Sequence, residues 1–269
     1  MKTKRRAMLY ILIALILLGS AYMLWENTHF TVTGYVYRNP KVPKEMDGLR
    51  ILQISDLHNQ SFGKNNRRLL ARIRKEKPPV IVITGDLIDS TFTDTEKAIA
   101  FAAELAALAP VYYCTGNHEH RLPKPELDAF LQELSHTGVR VLQDEAVSFY
   151  GGTLVGLQDP GSKTDALSRI LKEEDPDTFT LLLSHKPHRL KHYLQADLVL
   201  AGHAHGGQVY IPFLGGLIAP GQGYFPKYTK GFYTMEATTM LVSRGIGNSH
   251  RIPRLFNPPE LVLLTLRCQ

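Results

Sequence analysis

The chain has 269 residues, 44% of them hydrophobic and 21% charged, which suits a globular protein with a sizeable core and excludes a disordered or fibrous one. Lys2, Lys4, Arg5 and Arg6 supply four units of the formal charge of +6, so the rest of the chain carries only about +2, too little to argue for a nucleic-acid partner. Cys114 and Cys268 are the only cysteines and no C-x-x-C occurs, which excludes a disulfide framework.

Ala7–Trp25 contains no charged residue and, at nineteen residues, is close to the ~20 that cross a bilayer as a helix. The basic flank before it is expected to stay in the cytoplasm and Trp25 to lie at the far interface, which puts the remainder outside. A cleaved signal peptide is the rival reading, because Gly19-Ser20-Ala21 offers a cut site; Met23, Leu24 and Trp25 continue the apolar run past it and favour an uncleaved anchor. The chain therefore divides into residues 1–29, a basic stub with a transmembrane anchor, and 30–269, one catalytic domain.

Beyond the anchor, Thr31–Tyr37 alternates as a strand does, and Arg50–Ser55 reads as a buried strand ending in Asp56-Leu57-His58. Lys64–Lys77 is helical, with Leu69, Leu70 and Ile73 on one face and a solvated basic face opposite. Val80–Thr84 is unbroken apolar or β-branched and runs into Gly85-Asp86, the pattern of a strand covered on both faces. Thr93–Ala109 is a helix with Thr93 and Glu96 as a capping box. Val111–Cys114 is a strand followed by Gly116-Asn117-His118-Glu119, and Pro125–Thr137 is a helix closed by Gly138. Ala146–Tyr150 and Thr153–Leu157 flank Gly151-Gly152, a type I′ hairpin signal. Thr164–Lys172 is helical. Strands at Thr178–Leu183 and Leu198–Ala201 lead to Ser184-His185 and to His203-Ala204-His205. Val209–Tyr233, rich in Gly, Pro and Tyr, reads as an ordered loop, and Met240–Ser243 and Leu261–Leu266 close the sheets.

Five strand-like runs thus each end in a potential ligand: Asp56 and His58, Asp86, Asn117, His185, and His203 with His205. Residues i and i+2 of an extended segment point to one side, so each D-x-H or H-x-H pair can aim two donors together. Imidazole and carboxylate suit Zn²⁺, Mn²⁺ or Fe. Seven donors are too many for one ion and fit a pair sharing one carboxylate, the arrangement that clamps an in-line displacement at phosphorus. Each short pattern alone is weak, and His29, His120, His136, His188, His192 and His250 are read as ordinary structural or surface histidines.

The ordered blocks D-L-H, G-D-L-I-D, G-N-H-E, S-H and G-H-A-H resemble those of the calcineurin-like metallophosphoesterase superfamily. Gly202–Gln208, Val242–Gly247 and Asn257–Leu261 resemble its YaeI/YkuE-like bacterial branch. The resemblance implies a four-layer α/β/β/α sandwich of two mixed sheets flanked by helices. It implies that Asp56, His58, Asp86 and His205 hold one divalent ion (Mn²⁺, Zn²⁺ or Fe) and Asp86, Asn117, His185 and His203 a second, with Asp86 shared. It also implies attack on phosphorus by a hydroxide bridging the ions, with His118 protonating the leaving oxygen or stabilising the transition state, and Asp89 orienting His118. The alternative for Asp89 is a helix cap.

Where the superfamily's Ser/Thr protein phosphatases carry an arginine after that second aspartate, this chain has Ser90, which argues against a phosphoprotein substrate. Arg244 and Gln208 are candidate substrate contacts, Arg244 being equally suited to a structural ion pair. The expected function is a single-pass membrane enzyme, its catalytic domain outside the cytoplasm, that hydrolyses a phosphodiester or pyrophosphate bond of a lipid-linked or cell-envelope substrate. A non-catalytic protein-binding scaffold is the alternative, although such a scaffold commonly loses ligands and none is missing here. No P-loop, G-x-G-x-x-G, H-E-x-x-H or early H-x-H-x-D-H occurs.

Overall fold

The computed structural model of the chain describes residues 2–159, 165–249 and 253–268. Two six-stranded mixed sheets pack face to face. The first runs β1 (Thr31–Arg38), β16 (Glu260–Arg267), β2 (Arg50–Ile54), β3 (Val80–Thr84), β4 (Val111–Cys114), β5 (Arg140–Val141). Only the β16–β2 pairing is antiparallel. The second runs β14 (Gly231–Met235), β15 (Thr238–Val242), β9 (Leu198–Ala201), β8 (Thr180–Leu183), β7 (Gly152–Gly156), β6 (Glu145–Phe149), with both edge strands antiparallel.

Alternate residues of the central strands face opposite layers, so three apolar clusters result. Val80 and Val82 of β3 point between the sheets, where they meet Leu181, Leu183, Leu198 and Leu200. Ile81 and Ile83 point outward onto α2 (Arg67–Glu76), α3 (Thr95–Ala106) and α4 (Lys124–His136) through Leu69, Ile73, Phe101, Leu105 and Phe130. Every residue of β3 is buried, as its unbroken apolar run requires. The fourth layer, over Val155, Leu182 and Val199, is thin: α5 (Ala166–Ile170), the 3-10 segment Pro187–His192, and Tyr228 from the loop beyond. The four-layer α/β/β/α architecture therefore holds, with most of its helical mass on one side.

The N-terminal helix α1 (Lys2–Thr28) is exposed for most of its length and is long and apolar enough to cross a membrane.

Several boundaries differ from the sequence expectation. Helix α3 is capped by Asp94, whose Oδ1 accepts Lys97 N–H at 3.0 Å, because the Thr93 hydroxyl donates instead to Asp89 O at 2.8 Å. The β6–β7 hairpin turns at Tyr150-Gly151, both at positive φ (46° and 80°), one residue earlier than Gly151-Gly152, and Gly152 pairs with Phe149. Residues 209–233 are less of a loop than expected: β10 (Tyr210–Ile211) pairs with β11 (Gly215–Gly216), β12 (Ile218–Ala219) with β13 (Gly223–Tyr224), and β14 begins at Gly231. Thr164, the expected helix start, and His250 lie outside the described residues.

Candidate metal centre

The turns that follow β2, β3, β4, β8 and β9 all open at the carboxyl edge of their sheets, and there six of the seven candidate ligands meet. Asp56, His58 and His205 place donor atoms within 4.8 Å of one another, as do Asp86, His185 and His203. Asp86 also forms a triad with His58 and His118, so its carboxylate joins both groups. His58 Nε2 is 3.3 Å from His205 Nε2, His185 Nε2 is 3.1 Å from His203 Nδ1, and Asp86 Oδ2 is 3.1 Å from His185 Nε2 and 3.7 Å from His58 Nε2. All of these side chains are buried. Asn117 Oδ1 is buried too, with no hydrogen-bond partner. A carbonyl oxygen withdrawn from water and left unpaired is costly unless a cation completes it. Imidazoles facing each other through ring nitrogens, two carboxylates and an orphaned amide oxygen make a donor set that fits divalent metal.

Convergence does not come from strand alternation. Asp56, His58, Asp86, His203 and His205 all have positive φ, at 55°, 49°, 52°, 66° and 46°. Each lies in a left-handed turn past its strand, a conformation that costs a non-glycine residue roughly 1 kcal/mol or more. Glycines let the turns interlock. A Cβ at Gly116 would lie 2.2 Å from Asp86 Oδ1, and one at Gly202 would lie 1.8 Å from Ser55 Oγ and 2.4 Å from Asp56 Oδ2.

Like charges and burial perturb the cluster strongly. Burial raises Asp56 to about 6 against the pull of His185, and burial lowers His58 to about 3. Burial also works against charge on His185 and Asp86, but their contact reverses both shifts: His185 rises to about 10 and Asp86 falls well below the usual carboxylate range. His203, buried and beside His185, is pushed well below 6.5.

His118 lies at the rim, 8% exposed, with Nε2 4.0 Å from Asp86 Oδ2. Its Nδ1 faces the Ser90 N–H at 3.0 Å. Asp89 lies beside it without hydrogen-bonding it. Oδ2 is 3.7 Å from His118 Nδ1 and 3.6 Å from His58 Nδ1, while Oδ1 accepts Thr91 N–H at 2.7 Å and Phe92 N–H at 3.1 Å. Asp89 thus closes its own turn and sets negative charge between two imidazoles; the backbone amide of Ser90, rather than this carboxylate, holds the His118 ring. Beside the rim, an open cavity of about 420 Å³ is bounded by His58, Asn59, Asp89, Phe92, Lys97 and Asn248.

The other two candidates are placed elsewhere. Arg244 donates from Nε and Nη2 to Glu260 Oε2 at 2.8 and 2.6 Å, and its amide donates to Glu260 Oε1, which makes it the structural ion pair. Gln208 is 1% exposed, its Nε2 donating to Asn248 Oδ1 at 3.0 Å; it braces the turn after His205 and presents no surface to substrate.

Glu119 was given no role by the sequence. Fully buried, its carboxylate accepts the N–H groups of Asp86 (3.0 Å), Leu87 (2.7 Å), Ile88 (3.3 Å) and Gly116 (2.8 Å), tying the turn after β3 to the turn after β4. Burial and the neighbouring Asp86 charge push it up to about 7. Arg121 was also missed. Its Nη1 lies 3.1 Å from His118 Nε2 and 3.3 Å from Ser90 Oγ, with no carboxylate of the described residues within ion-pair distance. No sequence signal marked it, since Arg121 and Ser90 lie 31 residues apart and meet only in the fold. Among the histidines read as ordinary, His120 bonds the Thr115 hydroxyl at 2.8 Å, whereas His188 lies near the cluster, its ring 5.8 Å from that of His203.

Comparisons with known proteins agree with this geometry. An uncharacterized metallophosphoesterase of Aquifex aeolicus is 30% identical over 267 residues, spanning 94% of this chain and 97% of its own length. YkuE of Bacillus subtilis, an uncharacterized metallophosphoesterase, is 27% identical over 93% of this chain and 90% of its own. LpxG of Chlamydia muridarum, a UDP-2,3-diacylglucosamine pyrophosphatase, is 26% identical over 91% and 92%. The family model for calcineurin-like phosphoesterases matches residues 49–207, the stretch that runs from β2 through the last ligand turn. With its ligand-bearing turns in family order and gathered at the carboxyl ends of strands from both sheets, this chain belongs to the calcineurin-like phosphoesterases.

Proposed function

We propose that the chain is a membrane-anchored, two-metal phosphoesterase that hydrolyses a phosphodiester or pyrophosphate bond in a lipid-linked or envelope substrate. The observation that carries this reading is the pair of buried triads, Asp56/His58/His205 and Asp86/His185/His203, joined through Asp86. Asp56, His58, Asp86 and His205 would hold one divalent ion and Asp86, Asn117, His185 and His203 the other. Such a pair, when bound, supplies an acidified water and neutralises charge on the phosphoryl oxygens.

The chain's own residues do the rest. His118, at the rim beside Asp86, would as the imidazolium give a proton to the departing oxygen and be left neutral. The Arg121 guanidinium beside it binds a non-bridging phosphoryl oxygen. Asp89 stabilises the His118 imidazolium by charge, across 3.7 Å. Burial around the cluster excludes bulk water and strengthens these interactions.

The apolar helix α1 would hold the enzyme at the bilayer, with Arg5 and Arg6 on the cytoplasmic side and the catalytic domain on the other. The lipid pyrophosphatase activity named for LpxG supports a lipid-linked anhydride as the substrate class. The test is a screen of the full-length chain in detergent, with Mn²⁺ or Zn²⁺, against aryl phosphodiesters, monoesters and sugar-nucleotide lipids. Diester or anhydride turnover that Asp86→Ala abolishes is expected; no turnover of any phosphoester by metal-loaded protein would return the fold to the scaffold reading.

A further inference from the structure

We infer that the last turn of the membrane helix is a positioning element of the metal centre, acting on the Asp56/His58/His205 group through Arg254 and Asn257. The inference rests on the two-metal reading above. Glu26 and Asn27 close α1, yet both reach into the catalytic domain. The Glu26 side chain, 1% exposed, accepts Phe256 N–H on Oε2 at 2.9 Å and Asn257 N–H on Oε1 at 2.7 Å. Asn27 grips the neighbouring peptide from both sides: its Oδ1 accepts Arg254 N–H and its Nδ2 donates to Arg254 O, each at 2.9 Å. Four hydrogen bonds therefore fix residues 254–257 to the end of the helix.

That segment holds the ligand turns in its side chains. Asn257 Nδ2 donates to His205 O at 2.7 Å and to Gln208 O at 3.2 Å. Gly206 lies so close that a Cβ there would meet Asn257 Oδ1 at 2.1 Å. Arg254 is wholly buried, and its guanidinium donates to the carbonyls of Arg244 (2.7 Å), Gly245 (3.2 Å), Gly247 (2.7 Å) and His205 (3.4 Å), with Nη2 3.3 Å from His205 Nδ1. The 245–247 turn is in turn bonded to the first ligand turn, Ile246 N–H to Ser55 O at 2.9 Å and Gly247 N–H to Asp56 O at 2.7 Å.

Two consecutive residues of α1 are thus two hydrogen-bonded steps from His205 and, through Arg254, three from Asp56. A flexible tether would end in solvent before the domain begins. Here a buried carboxylate and a bidentate amide hold it, all four of their bonds to the 254–257 segment being made. Groups that orient metal ligands from behind govern affinity by roughly 10–100-fold. Glu26 and Asn27 stand one step further out, so the effect expected is about tenfold. The coupling also sets the cluster at a fixed place relative to the membrane, consistent with a substrate drawn from the bilayer surface.

The experiment uses the full-length chain in detergent micelles, stripped of metal and titrated with Mn²⁺ by calorimetry, alongside thermal melting with and without Mn²⁺. Glu26→Ala, Glu26→Gln and Asn27→Ala are compared with wild type, with Phe256→Ala (whose ring touches Tyr22 of the helix at 5.6 Å but makes no side-chain hydrogen bond) and with Asp86→Ala. Glu26→Gln retains one carbonyl acceptor, so the comparison survives if the alanine variant does not fold. One of the two Mn²⁺ equivalents is expected to weaken about tenfold in the Glu26 and Asn27 variants, with the other unchanged and Phe256→Ala like wild type. Variants that melt lower without metal but keep the wild-type affinity and Mn²⁺-induced rise in Tm would overturn the inference while leaving the two-metal reading intact. If Asp86→Ala binds Mn²⁺ like wild type, the two-metal reading itself fails and the inference falls with it.

Discussion

Glu119 offers the sharpest test of how the centre is built, because four backbone hydrogen bonds converge on its carboxylate. Its carboxylate collects four backbone N–H groups at 2.7–3.3 Å from two different turns, in a wholly buried place. Glu119→Gln preserves shape but exchanges one acceptor oxygen for a donor. Oε1 serves Leu87 and Ile88, and Oε2 serves Asp86 and Gly116, so whichever oxygen is lost, two amides are left facing an NH₂ group. An orphaned buried amide costs roughly 1–3 kcal/mol, which puts the variant about 2–4 kcal/mol below wild type after partial relaxation. In a protein of this size that is a fall in Tm of roughly 5–15 °C. Thermal melting of the metal-stripped protein, followed by intrinsic fluorescence, measures it free of any effect on metal affinity. A Tm within about 2 °C of wild type would show that the Glu119 tie between the turns after β3 and β4 is not what holds Asp86 in place.

Other consequences follow from the same geometry. Gly202→Ala forces a methyl group to within 1.8 Å of Ser55 Oγ and 2.4 Å of Asp56 Oδ2, so it is expected to displace a ligand carboxylate and to lower metal affinity at least tenfold, read by Mn²⁺ titration. His118→Ala removes the proposed acid and not a ligand; kcat is expected to fall roughly 10²–10⁴-fold while calorimetry still finds two ions, and a variant that loses the metal would reassign His118 to the ligand set. Metal uptake should release protons. His185, raised to about 10 by Asp86, is protonated in the metal-free protein at pH 8, and a cation must displace that proton, so calorimetry at pH 8 in buffers of different ionisation enthalpy is expected to report about one proton released. The sign for stability is linked: in the metal-free state the His185–Asp86 contact stabilises fully below pH about 6.5 and fades as pH rises toward 10, so metal-free Tm should decline across that window.

Much of the sheet was legible because buried central strands write themselves as short apolar runs, and here most runs stop at Gly or Ser. Val80–Thr84 needed no other clue. The ligands were legible for the same reason: an acid or imidazole after a wholly apolar strand has no solvated face to occupy. Their neighbours were not. Glu119 looks like any loop acid until the turns after β3 and β4 are brought together, since all its amide partners except Gly116 lie more than thirty residues away. Arg244 could have faced substrate or Glu260, and only the packing of β16 beside β1 decides it. The α3 cap was misplaced by one residue because Thr93 and Asp94 both carry a capping oxygen, and a contact outside the helix, Asp89 O, takes the first. The hairpin turn slipped by one because Tyr150 adopts a positive φ that Gly152 would accept more readily, while the place of Gly152 is claimed by Phe179 O, 2.7 Å from where its Cβ would be.

The left-handed turns make a broader point about what the fold gives up for its chemistry. Five of the seven ligand positions carry a conformation that costs about 1 kcal/mol or more apiece, and none of the five is glycine, the one residue that would relieve it. Glycine cannot donate to a metal. It stands instead at the facing positions, Gly116 against Asp86 and Gly202 against Asp56, where a side chain would push the ligand away. A turn meant only to connect strand to helix would carry the opposite assignment, with glycine in the left-handed place and an ordinary residue opposite. The sequence therefore keeps strained donors and bare partners together, at a standing loss of several kcal/mol in the empty protein. That loss is offset from outside the turns, by Glu119 under Asp86 and by Arg254 and Asn257 under His205, so these buried polar groups belong to the same design as the ligands they hold.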